Sequence, residues 1–192
     1  ADAQAIDPGA LLDVPGRAAD AARVLCGNLP YQITGRLLQL AVKHAAHVDR
    51  VIFMVQDEVA ERLVAGPGTK DYGALTVFVQ AAFDVTRLFK VSRGSFHPPP
   101  DVTSSIVRLV PARPPRAEET PTFRALVKGA FGARRKTLRN AWSGVAPADV
   151  IARVAAEAGI SLDARGETLS VDSYARAAAA LEKAVSPIRP ED

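Results

Sequence analysis

Residues 51–55 of this chain form an unbroken apolar run, Val-Ile-Phe-Met-Val. The run has the length of a strand, and a strand that is apolar on both sides fits a sheet that is covered on both faces. A helix is predicted over 33–46, because apolar residues there recur every three to four positions and share one face. The first half of the chain is therefore predicted to build an α/β sheet.

Strand and helix signals alternate through this half of the chain. The short apolar run 24–26 predicts an earlier strand. After the central run, a short helix is predicted over 57–65 and a longer one over 75–83. Two further strands are predicted over 85–91 and 105–110. With the two consecutive helices counted as one helical segment, the resulting β-α-β-α-β-β order is the second half of an α/β sheet.

A proline-rich stretch, residues 111–115, interrupts this pattern and predicts a linker. Only helical patterns follow it. Thr120 before Pro121 is typical of the start of a helix. Later helices are predicted over 147–158 and 171–184. These patterns indicate a second, small, all-α domain.

The excess of basic residues is confined to one stretch of the chain. Residues 1–112 carry 11 basic and 11 acidic residues, residues 113–142 carry 8 and 2, and residues 143–192 carry 5 and 8. A concentrated basic patch attracts a phosphate backbone. We therefore expect the second domain, 113–192, to contact a polyanion.

The segment Gly27-Asn28-Leu29-Pro30-Tyr31 follows the first predicted strand, where an α/β sheet places its ligands. Asn-x-Pro is also an ordinary way to end a strand, so the segment has two interpretations. In the functional one, the Asn28 amide oxygen and the Leu29 carbonyl accept hydrogen bonds from an adenine amino group and orient its lone pair for attack on a sulfonium methyl. Pro30 then fixes the backbone, and Tyr31 offers a ring on which a base can stack.

Five blocks of the sequence, in order along the chain, resemble one family. They are Asn-Leu-Pro-Tyr at 28–31, Phe-Met-Val-Gln-Asp-Glu-Val-Ala-Glu-Arg-Leu at 53–63, Tyr-Gly-Ala-Leu-Thr-Val at 72–77, Ser-Phe-His-Pro-Pro-Pro-Asp-Val-Thr-Ser at 95–104 and Phe-Gly-Ala-Arg-Arg-Lys-Thr-Leu-Arg-Asn at 131–140. The first looks like the acceptor-base signature of methyltransferases that act on adenine amino groups. Together they resemble the ribosomal RNA adenine dimethyltransferases, and the last block is more like the universal small-subunit branch than the large-subunit resistance methylases.

This resemblance implies the C-terminal half of a Rossmann-like methyltransferase domain over 1–112 and a helical RNA-binding domain over 113–192. It implies S-adenosylmethionine-dependent N6,N6-dimethylation of two adjacent adenines in a hairpin loop of small-subunit (16S) ribosomal RNA, in an assembling subunit. The catalytic residues that it carries over are Asn28, Leu29, Pro30, Tyr31 and Phe96. The flipped-out base would lie between Tyr31 and Phe96, with its amino group facing the first two residues.

Two of these assignments have a structural alternative. Phe96 can also fill the core beside its polyproline loop. The basic residues assigned to RNA are Arg134, Arg135, Lys136 and Arg139, with Arg113, Arg116, Arg124 and Lys128 as further candidates for the same surface. Most charge runs are solvated helix faces. Contact with RNA phosphates is favoured here because the run has no matching acids and lies beside Phe131 and Trp142.

The residues that hold the methyl donor in this family are largely missing from the chain. Donor binding in this fold needs a glycine-rich turn after the first strand and an acidic residue after the second, and neither is present. The resemblance assigns only Asp2 and Asn28 to S-adenosylmethionine. We expect the chain alone to be inactive, as a remnant of a normal enzyme with 24–26 as an exposed edge strand. The alternatives are a non-catalytic RNA-binding module for ribosome assembly and a large-subunit resistance methylase.

Composition favours a cytoplasmic protein. A single cysteine cannot form an internal disulfide, which fits a reducing compartment. Residues 1–4 show no signal-peptide pattern, and no apolar run approaches the roughly 20 residues that span a bilayer. The histidines at 44, 47 and 97 are too scattered for a metal site, so no metal is expected. We also expect no membrane partner, and a monomer when the protein is complete.

Overall fold

The computed structural model describes residues 18, 21–133 and 135–185. The chain divides into two compact units. The first contains the described residues up to Ala65 together with Phe78–Pro115. The second contains Gly66–Val77 together with the described residues from Arg116 onward. None of the helices in the described ranges is long and apolar enough to cross a membrane.

The first half of the chain has the predicted alternation of strands and helices. In chain order its elements are β1 (Val24–Asn28), α1 (Thr34–Lys43), β2 (Arg50–Gln56), α2 (Asp57–Val64), α3 (Ala74–Ala82), β3 (Phe83–Val91) and β4 (Ser104–Pro111). The strands form one sheet in the order β1-β2-β4-β3. β1 and β2 are parallel, whereas β4 is antiparallel to both of its neighbours. The predicted α/β class is confirmed, and the β-α-β-α-β-β order holds when the two consecutive helices α2 and α3 are counted as one helical segment.

The register of the sheet brings three strand ends together. Asn28, the last residue of β1, is opposite Met54 of β2. Gln56, the last residue of β2, is opposite Ser104, the first residue of β4. Parallel strands that end at one edge create the usual ligand crevice of an α/β sheet. The polar segment after β1 therefore begins at the edge where a ligand is expected.

One face of this sheet is a fully buried core. Val51, Phe53 and Val55 of β2 are at most 3% exposed, and α2 packs against β2, β3 and β4. The alternate residues Ile52 and Met54 point to the other face and are half-buried. The prediction of a strand covered on both faces therefore holds fully for only one face within the described residues.

A charged network anchors the first turn of α2 to the sheet. Asp57 accepts a hydrogen bond from Ser105 Oγ at 2.6 Å and forms ion pairs with Lys90, at 2.9 Å, and with Arg87. Arg87 also pairs with Glu61 at 3.6 Å. Burial raises the pKa of Asp57, but the hydrogen bond from Ser105 and the two cations together lower it below its usual value. The network therefore requires the ionised carboxylate.

The second unit is helical, as predicted. Its main elements are α4 (Pro121–Gly132), α5 (Leu138–Ala141), α6 (Ala148–Ala158) and α7 (Val171–Val185). Two of the three predicted helix starts are capped by a side chain. Thr120 Oγ1 accepts a hydrogen bond from the Phe123 N–H at 3.1 Å, and Ser170 Oγ accepts one from the Ser173 N–H at 3.1 Å. Such caps satisfy backbone donors that the first helical turn leaves free.

Buried aromatic rings form the core of this unit. Trp142 is fully buried and donates its indole N–H to the Leu126 carbonyl at 2.9 Å. Tyr174 is also fully buried and donates its hydroxyl to the Gly166 carbonyl at 2.8 Å. A Cβ atom at Gly166 would lie 2.6 Å from the Cβ of Ala130, closer than two such atoms approach. The contact between the 166–168 turn and α4 therefore requires a glycine.

The segment Gly66–Val77 belongs to this helical core. The Gly68 N–H donates to the Glu167 carbonyl at 2.7 Å, and the Tyr72 ring lies 6.0 Å from the Phe131 ring, edge to face. Burial raises the pKa of Tyr72 to about 12, so its phenol is neutral at pH 7. The sequence analysis placed this segment in the first domain, 1–112. The contacts that join it to the helical unit are long-range, so local patterns in the sequence do not reveal them.

We expect Asp57→Asn to lower the free energy of unfolding by about 1–3 kcal/mol at pH 7, because the half-buried Arg87 and the buried Ser105 lose their charged partner, whereas the exposed Lys90 is screened by solvent and adds little. The pKa of Asp57 in the folded state lies below its ordinary value of 3.8. The free energy of unfolding that its charge contributes is therefore fully present above pH 3.8, and it is lost as the pH falls through the lower folded-state pKa. The deficit of the variant should therefore shrink below about pH 3.8. Urea unfolding at a series of pH values measures this, with exposed Asp101→Asn as the control. A deficit that does not vary with pH contradicts the assignment.

Candidate active site

A cleft of about 300 Å³ lies at the end of β1. It is lined by Asn28, Leu29, Pro30, Tyr31, Phe96, Pro98 and Pro100. The structure thus brings together the segment 28–31 and Phe96, which the sequence analysis assigned to one site although they are far apart in the chain. Pro98 and Pro100 come from the same loop as Phe96. Most of the lining residues are apolar or aromatic, and Asn28 supplies the side-chain amide.

The backbone at the floor of the cleft is held on both sides. The Leu29 N–H donates to the Met54 carbonyl at 3.0 Å, and the Leu29 side chain is 5% exposed. Pro30 has φ −58° and ψ 129°. Its carbonyl accepts hydrogen bonds from the Ile33 N–H at 3.1 Å and from Thr34 Oγ1 at 3.0 Å. These bonds hold the peptides on either side of the one that carries the Leu29 carbonyl, and the φ of Pro30 has the value that its ring imposes.

The two aromatic residues of the cleft differ in how they are held. Tyr31 is 38% exposed, and its hydroxyl lies 3.0 Å from Ser104 Oγ. Phe96 is half-buried and contributes to the wall of the cleft. Asn28 is exposed, so its amide is accessible to a ligand. Phe96 therefore does more than fill the core, although its contact with a base stays a prediction.

The loop that carries Phe96 is braced across its ends. Arg93 Nη1 donates to the Asp101 carbonyl at 3.1 Å. The Ser92 hydroxyl accepts from the Gly94 N–H at 3.3 Å, at the start of the short turn Arg93–Ser95. The sequence analysis assigned no role to Arg93, because a side chain that binds a carbonyl of its own loop leaves no periodic signal.

The predicted RNA-contacting residues lie around α5 in the second unit. Arg135 and Lys136 are exposed, and Arg134 lies outside the described residues. Arg139 is exposed and pairs with Asp163 at 3.2 Å, so the expectation of a run without matching acids was wrong at that position. The acid comes from a distant part of the chain and could not be counted from the run itself.

A second basic residue is brought beside this run by backbone pairing. Thr137 and Arg165 form an antiparallel bridge, and the Leu138 N–H donates to the Ala164 carbonyl at 2.8 Å. Arg165 is exposed there. The sequence analysis missed it, because it is isolated in the sequence among acidic neighbours.

The other candidates for the basic surface have different surroundings. Arg113 donates to the Val48 carbonyl at 3.0 Å and pairs with Asp49, and Arg124 pairs with Glu119. The flanking aromatic Trp142 is buried in the helical core rather than exposed beside the charges.

Of the two residues that the resemblance assigns to S-adenosylmethionine, one is among the described residues. Asn28 is exposed at the cleft, but Asp2, the other residue assigned to S-adenosylmethionine, lies outside the described ranges. Over the part of the chain that the structure describes, no group of three or more His, Cys, Asp or Glu residues is placed to hold a metal ion.

Two solved structures share this fold. A dimethyladenosine transferase from Plasmodium falciparum aligns over 88% of this chain and 70% of its own, with a TM-score of 0.75 and 24% identity. The 23S rRNA methyltransferase ErmE aligns over 83% of this chain and 65% of its own, with a TM-score of 0.57 and 23% identity. At these identities the likeness establishes the fold alone, which is that of the class I methyltransferases.

The sequence comparisons are more specific. A ribosomal RNA small subunit methyltransferase A from Xanthomonas oryzae pv. oryzae is 48% identical over 157 residues, and one from Xanthomonas campestris pv. campestris is 47% identical. The alignments cover 80% of this chain and 58% of those proteins, so the chain spans little more than half of their length. The profile of the family described as ribosomal RNA adenine dimethylase matches residues 16–183. Because that match covers most of the sequence, the chain belongs to the ribosomal RNA adenine dimethylase family.

Proposed function

We propose that this chain is the acceptor-base and RNA-binding part of an enzyme that dimethylates the N6 amino group of two adjacent adenines in small-subunit ribosomal RNA. The observation that carries the proposal is the cleft between residues 28–31 and Phe96, in a chain of the dimethylase family. The substrate is an RNA hairpin loop, whose bases can be unstacked and taken into such a slot.

The cleft acts on the adenine by orientation. The rings of Tyr31 and Phe96 would hold the flipped base by stacking. The Asn28 amide oxygen and the Leu29 carbonyl would accept hydrogen bonds from its amino group and direct the nitrogen lone pair toward the methyl donor. The methylated ammonium is strongly acidic and loses its proton to water, so the reaction needs no dedicated general base.

The small subunit is favoured over the large one as the source of the RNA. The Xanthomonas relatives are named small-subunit methyltransferases, whereas the likeness to the 23S rRNA enzyme is a likeness of fold. We place the reaction in the cytoplasm, on an assembling subunit. Methylation of the two purified ribosomal RNAs in separate assays distinguishes the two substrates.

S-adenosylmethionine is the proposed donor and supplies the activated methyl group when bound. The chain contains no glycine-rich turn of the kind that holds it, and it spans 58% of its Xanthomonas oryzae relative. We expect no measurable donor binding by these 192 residues alone in isothermal titration calorimetry. Clear heats of binding with one donor per chain would contradict this expectation.

The catalytic proposal is tested by a chimera in which this chain follows the donor-binding segment of the Xanthomonas oryzae relative. We expect the chimera to methylate small-subunit RNA and Asn28→Ala to lower kcat about 10²–10³-fold, because an oriented acceptor is lost. Gln39→Ala removes an exposed amide from α1 and is the matched control. An inactive but folded and RNA-binding chimera favours the alternative, a non-catalytic RNA-binding module.

The RNA-binding proposal predicts a change in salt dependence. If Arg135 and Lys136 contact phosphates, their replacement by Ala should weaken hairpin binding and reduce the slope of log K against log salt by about 1.4–1.8. The double variant Arg62→Ala, Lys183→Ala is the control, because it removes the same charge from residues that pair with Glu58 and Glu157. Equal slopes for the two double variants would contradict a phosphate-binding role for residues 135 and 136.

A further inference from the structure

Ser104 holds the hydroxyl group of the cleft tyrosine. Its Oγ lies 3.0 Å from the Tyr31 hydroxyl, and its side chain is 1% exposed. As the first residue of β4, it is paired with Gln56 of β2 on one side and with Val91 of β3 on the other. The serine is thus fixed by strands on both sides, which makes it a rigid point of attachment.

Tyr31 needs such an attachment more than its neighbours do. It lies in a short turn, Tyr31–Ile33, and is 38% exposed, so its ring is not confined by burial. A ring that only stacks on a base needs no hydroxyl, and phenylalanine would serve as well. The hydroxyl here is used instead to tie the far end of the ring to the sheet. A buried serine hydroxyl also requires a partner, so the bond satisfies both groups.

We propose that Ser104 is a positioning residue for the acceptor base, acting through Tyr31. The hydrogen bond holds the tyrosine ring at one wall of the cleft, so that the slot between it and Phe96 exists before RNA binds. Preorganisation of this kind reduces the rotamer freedom that binding must otherwise remove. The inference rests on the proposed function, because it concerns the same cleft, but it assigns a role to a residue outside the lining of that cleft.

The test follows stacking rather than methylation, so it needs no donor. A hairpin RNA carries 2-aminopurine at the target adenine, and its fluorescence is quenched when the base stacks in the cleft. Loss of one hydrogen bond should lower the equilibrium constant for stacking about two- to tenfold in Ser104→Ala and in Tyr31→Phe. RNA affinity should change little, because phosphate contacts dominate it. The double variant should be no worse than the more affected single variant.

Ser105→Ala is the matched control. Ser105 is the next residue of β4, equally buried, and its hydroxyl bonds to Asp57 on the opposite face of the sheet. This variant should lower the midpoint of thermal unfolding and leave the quenching unchanged. If Ser104 had only a structural role, Ser104→Ala and Ser105→Ala would have the same effects. Ser104→Thr retains the hydroxyl and should restore quenching.

The proposal is overturned if 2-aminopurine is quenched as fully by binding to Ser104→Ala or Tyr31→Phe as by binding to the unsubstituted chain. It is also overturned if the double variant loses the sum of the two single losses. If Ser104→Ala does not fold, Tyr31→Phe alone decides, because it removes the same bond and keeps both the ring and the serine. Because 2-aminopurine keeps the stacking faces of adenine but has no 6-amino group, no quenching with the unsubstituted chain, despite RNA binding, overturns the stacking roles of Tyr31 and Phe96 and this inference with them. The hydrogen bonds to the amino group are tested separately by Asn28→Ala. If the unsubstituted chain and Ser105→Ala quench the fluorescence and Ser104→Ala and Tyr31→Phe do not, the stacking cleft and the role of Ser104 are both supported.

Discussion

The parallel pairing of β1 with β2 is the constraint on which the candidate site depends. It places Asn28 opposite Met54 and lets the Leu29 N–H reach the Met54 carbonyl, so the chain leaves the sheet at a defined point. Side chains alternate between the faces of a strand, and a slip of one residue would turn the Asn28 amide to the other face. The buried Leu29 side chain opposes that slip, because it would become exposed. Core packing and site geometry are therefore set by the same register.

The elements of the fold were predictable from the sequence because their signals are local. Apolar periodicity predicted the strands and helices of both halves, and Thr120 before Pro121 marked the start of α4. The strand order was implied only by resemblance, since periodicity does not say that β4 lies between β2 and β3. The assignment of Gly66–Val77 to the helical unit was not predictable, because it depends on contacts with residues about a hundred positions later.

The candidate site shows the same division between local and distant information. The segment 28–31 is predicted from its place after a strand, and Phe96 from the block of prolines that follows it. The partners that hold them, Ser104 and Arg93, carry no such signal. The charge run around α5 was read correctly as basic, but Asp163 and Arg165 reach it through a backbone bridge that no window of sequence contains. Local counting therefore describes the charge of a segment and not that of a surface.

The close approach at Gly166 has a consequence for how this unit can change its sequence. A Cβ atom at position 166 would lie within 3.0 Å of both the Ala130 side chain and the Tyr174 hydroxyl. Side chains at positions 130 and 166 would therefore occupy the same space. Enlarging either residue alone pushes the turn away from α4 and loosens the bond from Tyr174 to the Gly166 carbonyl. A designer who enlarges position 166 must therefore move α4 itself, because the backbone carbon of Ala130 lies 3.2 Å from the same point and no smaller side chain at 130 removes that contact.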